Sequence, residues 1–368
     1  MLQENMLIKA DNLMGLNYLL NSLKLEEAID LVYIDPPFAT GSNFTIHNGR
    51  AATISNSKEG KIAYSDKLTG DEYLSFLRAR LELLYDLLSP QGSIYLHIDY
   101  KIGHYVKILM DEIFGIQNFR NDITRIKCNP KNFKRRGYGN IKDMILFYSK
   151  SKEPIWNEPT LPYTADDLLR LFPKISKDER RYTTVPLHAP GETKDGESGK
   201  AFKGIFPPVG RHWRTDIATM EKWDEEGLIE WSSTGNPRKI IYADEQKGKR
   251  LQDIWEYKDP QYPDYPTEKN SDMLEMIINT SSNKDSIVLD CFCGSGSTLM
   301  AAQKLGRRWI GIDQSDLAIK ATKAKLASMD FDIASLNTAY TFKTLIERPH
   351  VADNPFAKDE AYLSNILK

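Results

Sequence analysis

Residues 286–313 hold the pattern that most narrows the fold. An apolar run, SIVLD, ends at Asp290; the turn CFCGSGS follows, then a helical stretch from Leu299 to Leu305, then a second apolar run, RRWIGID, ending at Asp313. Strand, tight turn, helix, strand is the unit from which parallel sheets are assembled. Gly294 and Gly296 permit positive φ and close backbone approach. A helix starting there offers free N–H groups and a partial positive charge to an anionic ligand. Asp313 stands seventeen residues after Gly296, where a carboxylate can accept hydrogen bonds from both hydroxyls of a ribose. The segment reads as a nucleoside-cofactor site. A nicotinamide enzyme would share the turn and the later acid, although Leu299 occupies the third glycine position of that fingerprint. Cys291 and Cys293 read as small residues packed in the turn.

A second strand-to-loop junction lies near the start. The run IDLVYI (29–34) ends at Asp35-Pro36-Pro37-Phe38. Two successive prolines, Pro36 and Pro37, fix φ twice and remove two amide donors, so the backbone stiffens and the Pro36 carbonyl can aim outward. With Asp35 it supplies two acceptors on one side, which suits an exocyclic amino group. Phe38 can stack on a flat ring.

Between and around these junctions the chain alternates. Thr69-Gly70-Asp71-Glu72 has a capping-box pattern, and Leu74, Leu77, Leu81, Leu84 and Leu88 recur at helical spacing. SIYLHI (93–98) reads as a buried strand, followed by a helix over 102–114 and strands near 119–127 and 143–148. Residues 41–62 read as a long mobile loop. From 151 to 254 proline, glycine and charge become frequent, and four of the six tryptophans lie there, at 156, 213, 223 and 231. That stretch reads as an insertion. Met273, Leu274, Ile277 and Ile278 then mark a helix, and the β–α alternation resumes. The expected division is 1–150, 151–254, 255–348 and a loosely held tail over 349–368.

Composition excludes some classes. Hydrophobic residues at 41% and charged residues at 27% fit a globular chain. No apolar run approaches the roughly 18 residues of a membrane helix, and the start has no signal-peptide pattern. The three cysteines are an odd number without zinc-ligand spacing, so a cytoplasmic, reducing setting and no metal are expected. Net charge is -2, so a nucleic-acid partner must be held by a local patch. Residues 125–142, RIKCNPKNFKRRGYGNIK, carry seven basic side chains and no acidic one, with Phe133 and Tyr138 among them.

The pair DPPF and DCFCGSGST, in this order, resembles the β-class amino-methyltransferases of DNA, including type II and type III modification enzymes. Lys9-Ala10-Asp11-Asn12-Leu13, Tyr265-Pro266-Thr267-Glu268-Lys269-Asn270, LGRRWIGID, GRHWRTD (210–216) and NPRKIIYADEQKG (236–248) extend the likeness. The resemblance implies an α/β fold: a doubly wound, mostly parallel, Rossmann-like sheet of class I methyltransferase type, with circularly permuted motif order and an inserted target-recognition domain. It implies S-adenosylmethionine as cofactor and N6 of a flipped adenine in double-stranded DNA as target. Asp35 and the Pro36 carbonyl would hold the adenine amino group within the Asp35-Pro36-Pro37-Phe38 loop, and Phe38 would stack on the base. Asp290, Gly294, Gly296 and Ser297 would line the cofactor's methionine part, Asp313 its ribose and Asp11 its adenine, with Thr267 and Lys269 at its carboxylate. DNA contacts would come from Lys127, Lys131, Lys134, Arg135 and Arg136, and from Arg211, Arg214, Arg238 and Lys239. A homodimer and a restriction endonuclease partner are expected from the family. The rival readings are N4 of cytosine as target, a nicotinamide-dependent oxidoreductase, and a DNA-binding specificity protein without chemistry.

Overall fold

The computed structural model describes residues 4–37, 43–47, 50–52, 61–65, 70–130, 134, 136–193, 196–259, 269–328 and 340–346. The chain forms two compact units: Met1–Glu158 with Gln252–Lys368, and Pro159–Leu251.

The first unit is built on one nine-stranded sheet. Its strands are β1 (Asn5–Lys9), β2 (Ile29–Ile34), β3 (Leu88–Ile98), β4 (Phe119–Ile126), β5 (Lys142–Ser149), β6 (Ile254–Trp255), β7 (Ile287–Asp290), β8 (Arg308–Asp313) and β9 (Tyr340–Thr344). Their spatial order is β6-β4-β5-β3-β2-β7-β8-β1-β9. All neighbouring pairs are parallel except those of β5, which is antiparallel to both β3 and β4. The helices are α1 (Asn12–Asn17), α2 (Gly70–Leu87), α3 (Gly103–Phe114), α4 (Ser271–Ser281), α5 (Ser297–Lys304) and α6 (Asp316–Ala327).

Strand alternation sorts the side chains between two faces. Val32, Ile34, Ile94, Leu96, Ile98, Met144 and Leu146 join Leu77, Leu81 and Leu84 of α2 and Val106 and Met110 of α3 in one buried cluster. On the other face the Tyr95 hydroxyl meets Ser281 Oγ of α4 at 2.9 Å. Helices thus cover both faces, the doubly wound arrangement expected from the alternation. Register joins the two halves of the chain: Val288 and Leu289 of β7 pair with Leu31 and Val32 of β2. The chain leaves β2 toward β3 on one side and β7 toward β8 on the other. The gap between β2 and β7 is therefore a topological switch point, where α/β sheets bind ligands.

Three local expectations change. The stretch 41–62 contains strands: Asn43–His47 pairs with Arg50–Ala52 and with Lys61–Ser65. Phe44 and Ile46 alternate with polar residues, the period of a strand, but within a stretch whose Gly, Ser and Asn content favours a loop reading. Leu88 is the first residue of β3 rather than a member of the α2 face. Trp156 belongs to the first unit, stacked on Phe147 of β5 at 6.0 Å and 16°. The capping threonine Thr69 and the 349–368 tail lie outside the described residues.

The second unit carries a four-stranded antiparallel sheet of Lys174–Ile175, Arg181–Pro186, Pro237–Tyr242 and Ile229–Trp231, in that order. Leu187, Phe202, Trp213 and Met220 form a small buried cluster. Among the described residues, no helix is long and apolar enough to cross a membrane.

Candidate active site

Both sequence-predicted loops leave the carboxyl ends of the neighbouring strands β2 and β7. Asp35 follows β2 directly. Its Oδ2 accepts from Lys269 Nζ at 2.6 Å, with both side chains largely buried. Pro36 is buried and Pro37 half-buried. Phe38 lies outside the described residues, as do Thr267, Lys131 and Arg135.

The glycine loop is held by its own acids. Asp313, at the end of β8, accepts from Gly294 N at 2.9 Å through Oδ2 and from Ser315 N at 2.8 Å through Oδ1. Thr322 of α6 donates to the Gly294 carbonyl at 2.9 Å. Gly294 and Gly296 have φ of 51° and 79°, the left-handed region that disfavours a side chain. A Cβ on Gly296 would also lie 2.7 Å from Thr322 Cγ2. Ser297 then opens α5. Asp11 caps α1, accepting from Leu13 N at 2.8 Å, and pairs with Arg80 at 3.3 Å. Its neighbour Ala10 donates to the Asp313 carbonyl at 3.1 Å, so Asp11 also stands at this end of the sheet.

Charge distinguishes the site. Asp290 is buried and accepts from Phe292 N at 3.0 Å. Burial pushes its carboxyl up to about 7 against the hydrogen bonds of Thr298 and Phe292, and the nearby Asp35 and Asp313 add to the rise. Burial likewise raises Asp313. The buried Asp290, repelled by Asp35 and Asp313, suits a cationic ligand group, while Lys269, paired with Asp35, suits an anionic one. A sulfonium joined to an amino acid has both charges, so the residues present fit S-adenosylmethionine.

Sequence reading missed the row of polar groups behind Asp35. Across four adjacent strands lie Arg125 of β4, Asp143 of β5, His97 of β3 and Asp35 after β2. His97 Nε2 is 3.2 Å from Asp143 Oδ2, and its Nδ1 is 3.1 Å from the Tyr33 hydroxyl and 3.8 Å from Asp35 Oδ1. Arg125 lies 3.8 Å from Asp143 and is hydrogen-bonded to Asp259 and to the Tyr257 carbonyl. The available signal was a histidine within the otherwise apolar run SIYLHI.

The basic candidates separate. Lys127 points inward, its ammonium 2.6 Å from Asp143 Oδ1. A buried carboxylate two residues along the paired strand engages it. Arg125, counted in the same basic run, is fully buried. Lys134 and Arg136 are exposed. In the second unit Arg211 Nη1 meets His188 Nδ1 at 3.1 Å, and Arg214 donates to the His188 carbonyl at 3.2 Å. Arg238 is tied to Thr184 through its hydroxyl at 2.9 Å and carbonyl at 2.6 Å. Lys239, next along the strand, sits instead over the Trp223 ring at 3.5 Å.

Residues 29–324 match the family model described as DNA methylase, the N6/N4 methyltransferases. The type II methyltransferase M.EcaI of Enterobacter cloacae is 40% identical over 329 residues, covering 88% of this chain and 69% of that protein. The Mod subunit of the type III restriction-modification enzyme StyLTI of Salmonella typhimurium is 27% identical, covering 82% of this chain and 50% of that subunit. The type II methyltransferase M.KpnI of Klebsiella pneumoniae is 26% identical, with shares of 76% and 72%. The chain thus spans about half the length of its type III relative.

Proposed function

The chain belongs to the DNA methylase family, and from that premise we propose that it transfers a methyl group from S-adenosylmethionine to N6 of an adenine flipped out of double-stranded DNA. The observation that carries this reading is the adjacency of β2 and β7, with the Asp35 loop and the glycine loop leaving the same end of the sheet. Asp35, an aspartate where a serine would suit cytosine enzymes, accepts one amino proton and the Pro36 carbonyl the other. Those bonds draw the amino lone pair out of the ring and onto nitrogen. Positioning is the main device, with acceptors aimed at the positive charge that develops there. The cofactor supplies an electrophilic methyl group on a sulfonium sulfur. Asp290 would lie by its cationic methionine part, Asp313 by its ribose, Asp11 by its adenine and Lys269 by its carboxylate.

Phe38 stacks on the flipped base, which stabilises by about 1–3 kcal/mol, comparable with the few kcal/mol that extrusion costs. The second unit, with Arg211, Arg214 and Arg238, reads the DNA, together with Lys134 and Arg136. A restriction endonuclease partner and a second copy of the chain complete the proposal. The test is radiolabelled methyl transfer to DNA followed by nucleoside analysis. N6-methyladenine is expected, and N4-methylcytosine in its place would overturn the adenine assignment. Asp35→Ala is expected to abolish transfer while cofactor affinity persists; retained transfer would remove Asp35 from the chemistry.

A further inference from the structure

The row behind Asp35 has a direction. Asp143 is held well below the usual carboxylate range: burial raises it, but the His97 hydrogen bond and the Lys127 ammonium outweigh burial. An ionised carboxylate only accepts, so the hydrogen between Asp143 Oδ2 and His97 Nε2 belongs to His97. Burial, with Lys269 nearby, also disfavours the imidazolium. His97 is therefore neutral, with its lone pair on Nδ1. Among the described residues, the Tyr33 hydroxyl and Asp35 face that lone pair. The Tyr33 hydroxyl, 3.1 Å away, keeps its proton because burial and Asp35 push its pKa up, so it donates. Asp35 Oδ1, 3.8 Å away, is buried and has no hydrogen-bond donor among the described residues. A buried acceptor with no donor, facing a basic nitrogen, is a gap that one proton fills.

Resting on the proposed methyl transfer, we propose that His97 is the proton store behind Asp35, taking through that carboxylate the proton shed by the methylated amino nitrogen. The amino nitrogen's electron pair forms the bond to the methyl carbon as the methyl's bond to the sulfonium sulfur breaks, that pair staying on the now neutral sulfur, so the nitrogen becomes cationic. One N–H bond then breaks, its electron pair staying on nitrogen and its proton passing to Asp35. Asp35 hands the proton to His97 Nδ1, which regenerates the carboxylate and forms an imidazolium between Asp35 and Asp143. That imidazolium releases its proton to water when product leaves. His97 acts through Asp35 and is a positioning residue for the proton. Among the described residues, the charged and titratable groups around it include Tyr33 and Asp35 from the β2 side, Asp143 from β5, Arg125 and Lys127 beyond Asp143, and Lys269 before α4. The His97 hydrogen bond and the Lys127 ammonium keep Asp143 ionised. Lys269 limits how long the imidazolium persists.

The experiment joins a spectroscopic and a kinetic readout on the full chain. Histidine-selective 15N NMR, with the His97 signal assigned by its loss in His97→Gln, is expected to show the neutral Nε2–H tautomer at pH 7. An Nδ1–H tautomer or an imidazolium there overturns the proposal, because Nδ1 would already be filled. Single-turnover methylation measured across pH is expected to fall at least tenfold in Asp143→Asn. Its acid limb is expected to move to lower pH, since His97 loses the charge that favours its protonated form. Tyr33→Phe, which removes only a hydroxyl, is expected to move that limb the other way by freeing Nδ1. Profiles of Asp143→Asn and Tyr33→Phe that superimpose on wild type overturn the proposal even if either variant is less stable. Asp35→Ala separates the two readings: an active Asp35→Ala enzyme refutes the methyl-transfer site, whereas an inactive one beside unshifted profiles refutes the proton store alone.

Discussion

Asp290→Asn is expected to stabilise the protein at alkaline pH and to leave it unchanged in acid. Asp290 is buried at the end of β7, and burial, helped by Asp35 and Asp313, pushes its carboxyl from 3.8 to about 7. Below about pH 4 the group is protonated in both folded and unfolded chains and contributes no difference. Between about pH 4 and 7 the folded chain holds a proton that the unfolded chain has released, so stability falls as pH rises. Above about 7 the folded chain carries a buried anion and the full penalty is present. Roughly three pH units between the two titrations correspond to about 4 kcal/mol. The amide oxygen of asparagine can still accept from Phe292 N, so the loop keeps that hydrogen bond. Urea unfolding of wild type and variant, followed by tryptophan fluorescence from pH 4 to 8.5, reads the difference directly. The gap is expected to open from near zero at pH 4 toward about 4 kcal/mol at pH 8. Parallel stability curves would refute the argument, since they would mean that Asp290 titrates at its ordinary value despite its burial. A cationic ligand should repay part of the penalty. The thermal stabilisation given by saturating S-adenosylmethionine should therefore grow with pH in wild type and be flatter in the variant.

Two other outcomes follow from the same site. Gly296→Ala forces a side chain into the left-handed region at about 1–2 kcal/mol and against Thr322, so both melting temperature and cofactor affinity should fall. Adding Thr322→Ala should recover only part of the loss, because the backbone strain remains, and a single variant as stable as wild type would refute the geometry. Of the seven basic residues in 125–142, Arg125 and Lys127 are committed to internal acids, which leaves 7 − 2 = 5. The slope of log affinity for duplex DNA against log salt should therefore draw at most about −4.5 from this segment. An Arg136→Ala variant with an unchanged slope would take that residue out of the interface.

The sheet was legible because its strands are apolar runs ended by glycine or proline, a signal that survives permutation of the chain. The acids Asp35, Asp290 and Asp313 were legible because each directly follows or ends such a run. His97 and Asp143 were not, because their function depends on strand order. They are 46 residues apart, and only the antiparallel entry of β5 between β3 and β4 brings them together. The Lys127–Asp143 pair was hidden for the same reason, since nothing local announces that Asp143 lies across the ladder. The Asn43–His47 ribbon was not read because its short alternation of Phe44 and Ile46 with polar residues is surrounded by Gly, Ser and Asn, which favour a loop reading.

The permuted order of the two loops is therefore no obstacle to a single site. Parallel pairing of Leu31 with Val288 fixes where the Asp35 and Asp290 loops emerge, and that pairing depends on side chains and register rather than on which strand is made first. What the order does decide is where an insertion can go. The segment between β5 and β6 leads to one edge of the sheet, since among the described residues β6 pairs only with β4, so Pro159–Leu251 can be inserted in the sequence there without interrupting β2, β7 or their loops. The same edge supplies Arg125 and Asp259 to the charged row. A variant that cuts this edge contact, Asp259→Ala, should leave the Arg125 charge uncompensated beside the already ionised Asp143 and so disfavour the His97 imidazolium. Its acid limb for methylation should then move in the same direction as that of Asp143→Asn, to lower pH and by less; an unmoved limb, or a shift to higher pH, would show that the row transmits no charge from β4 to His97.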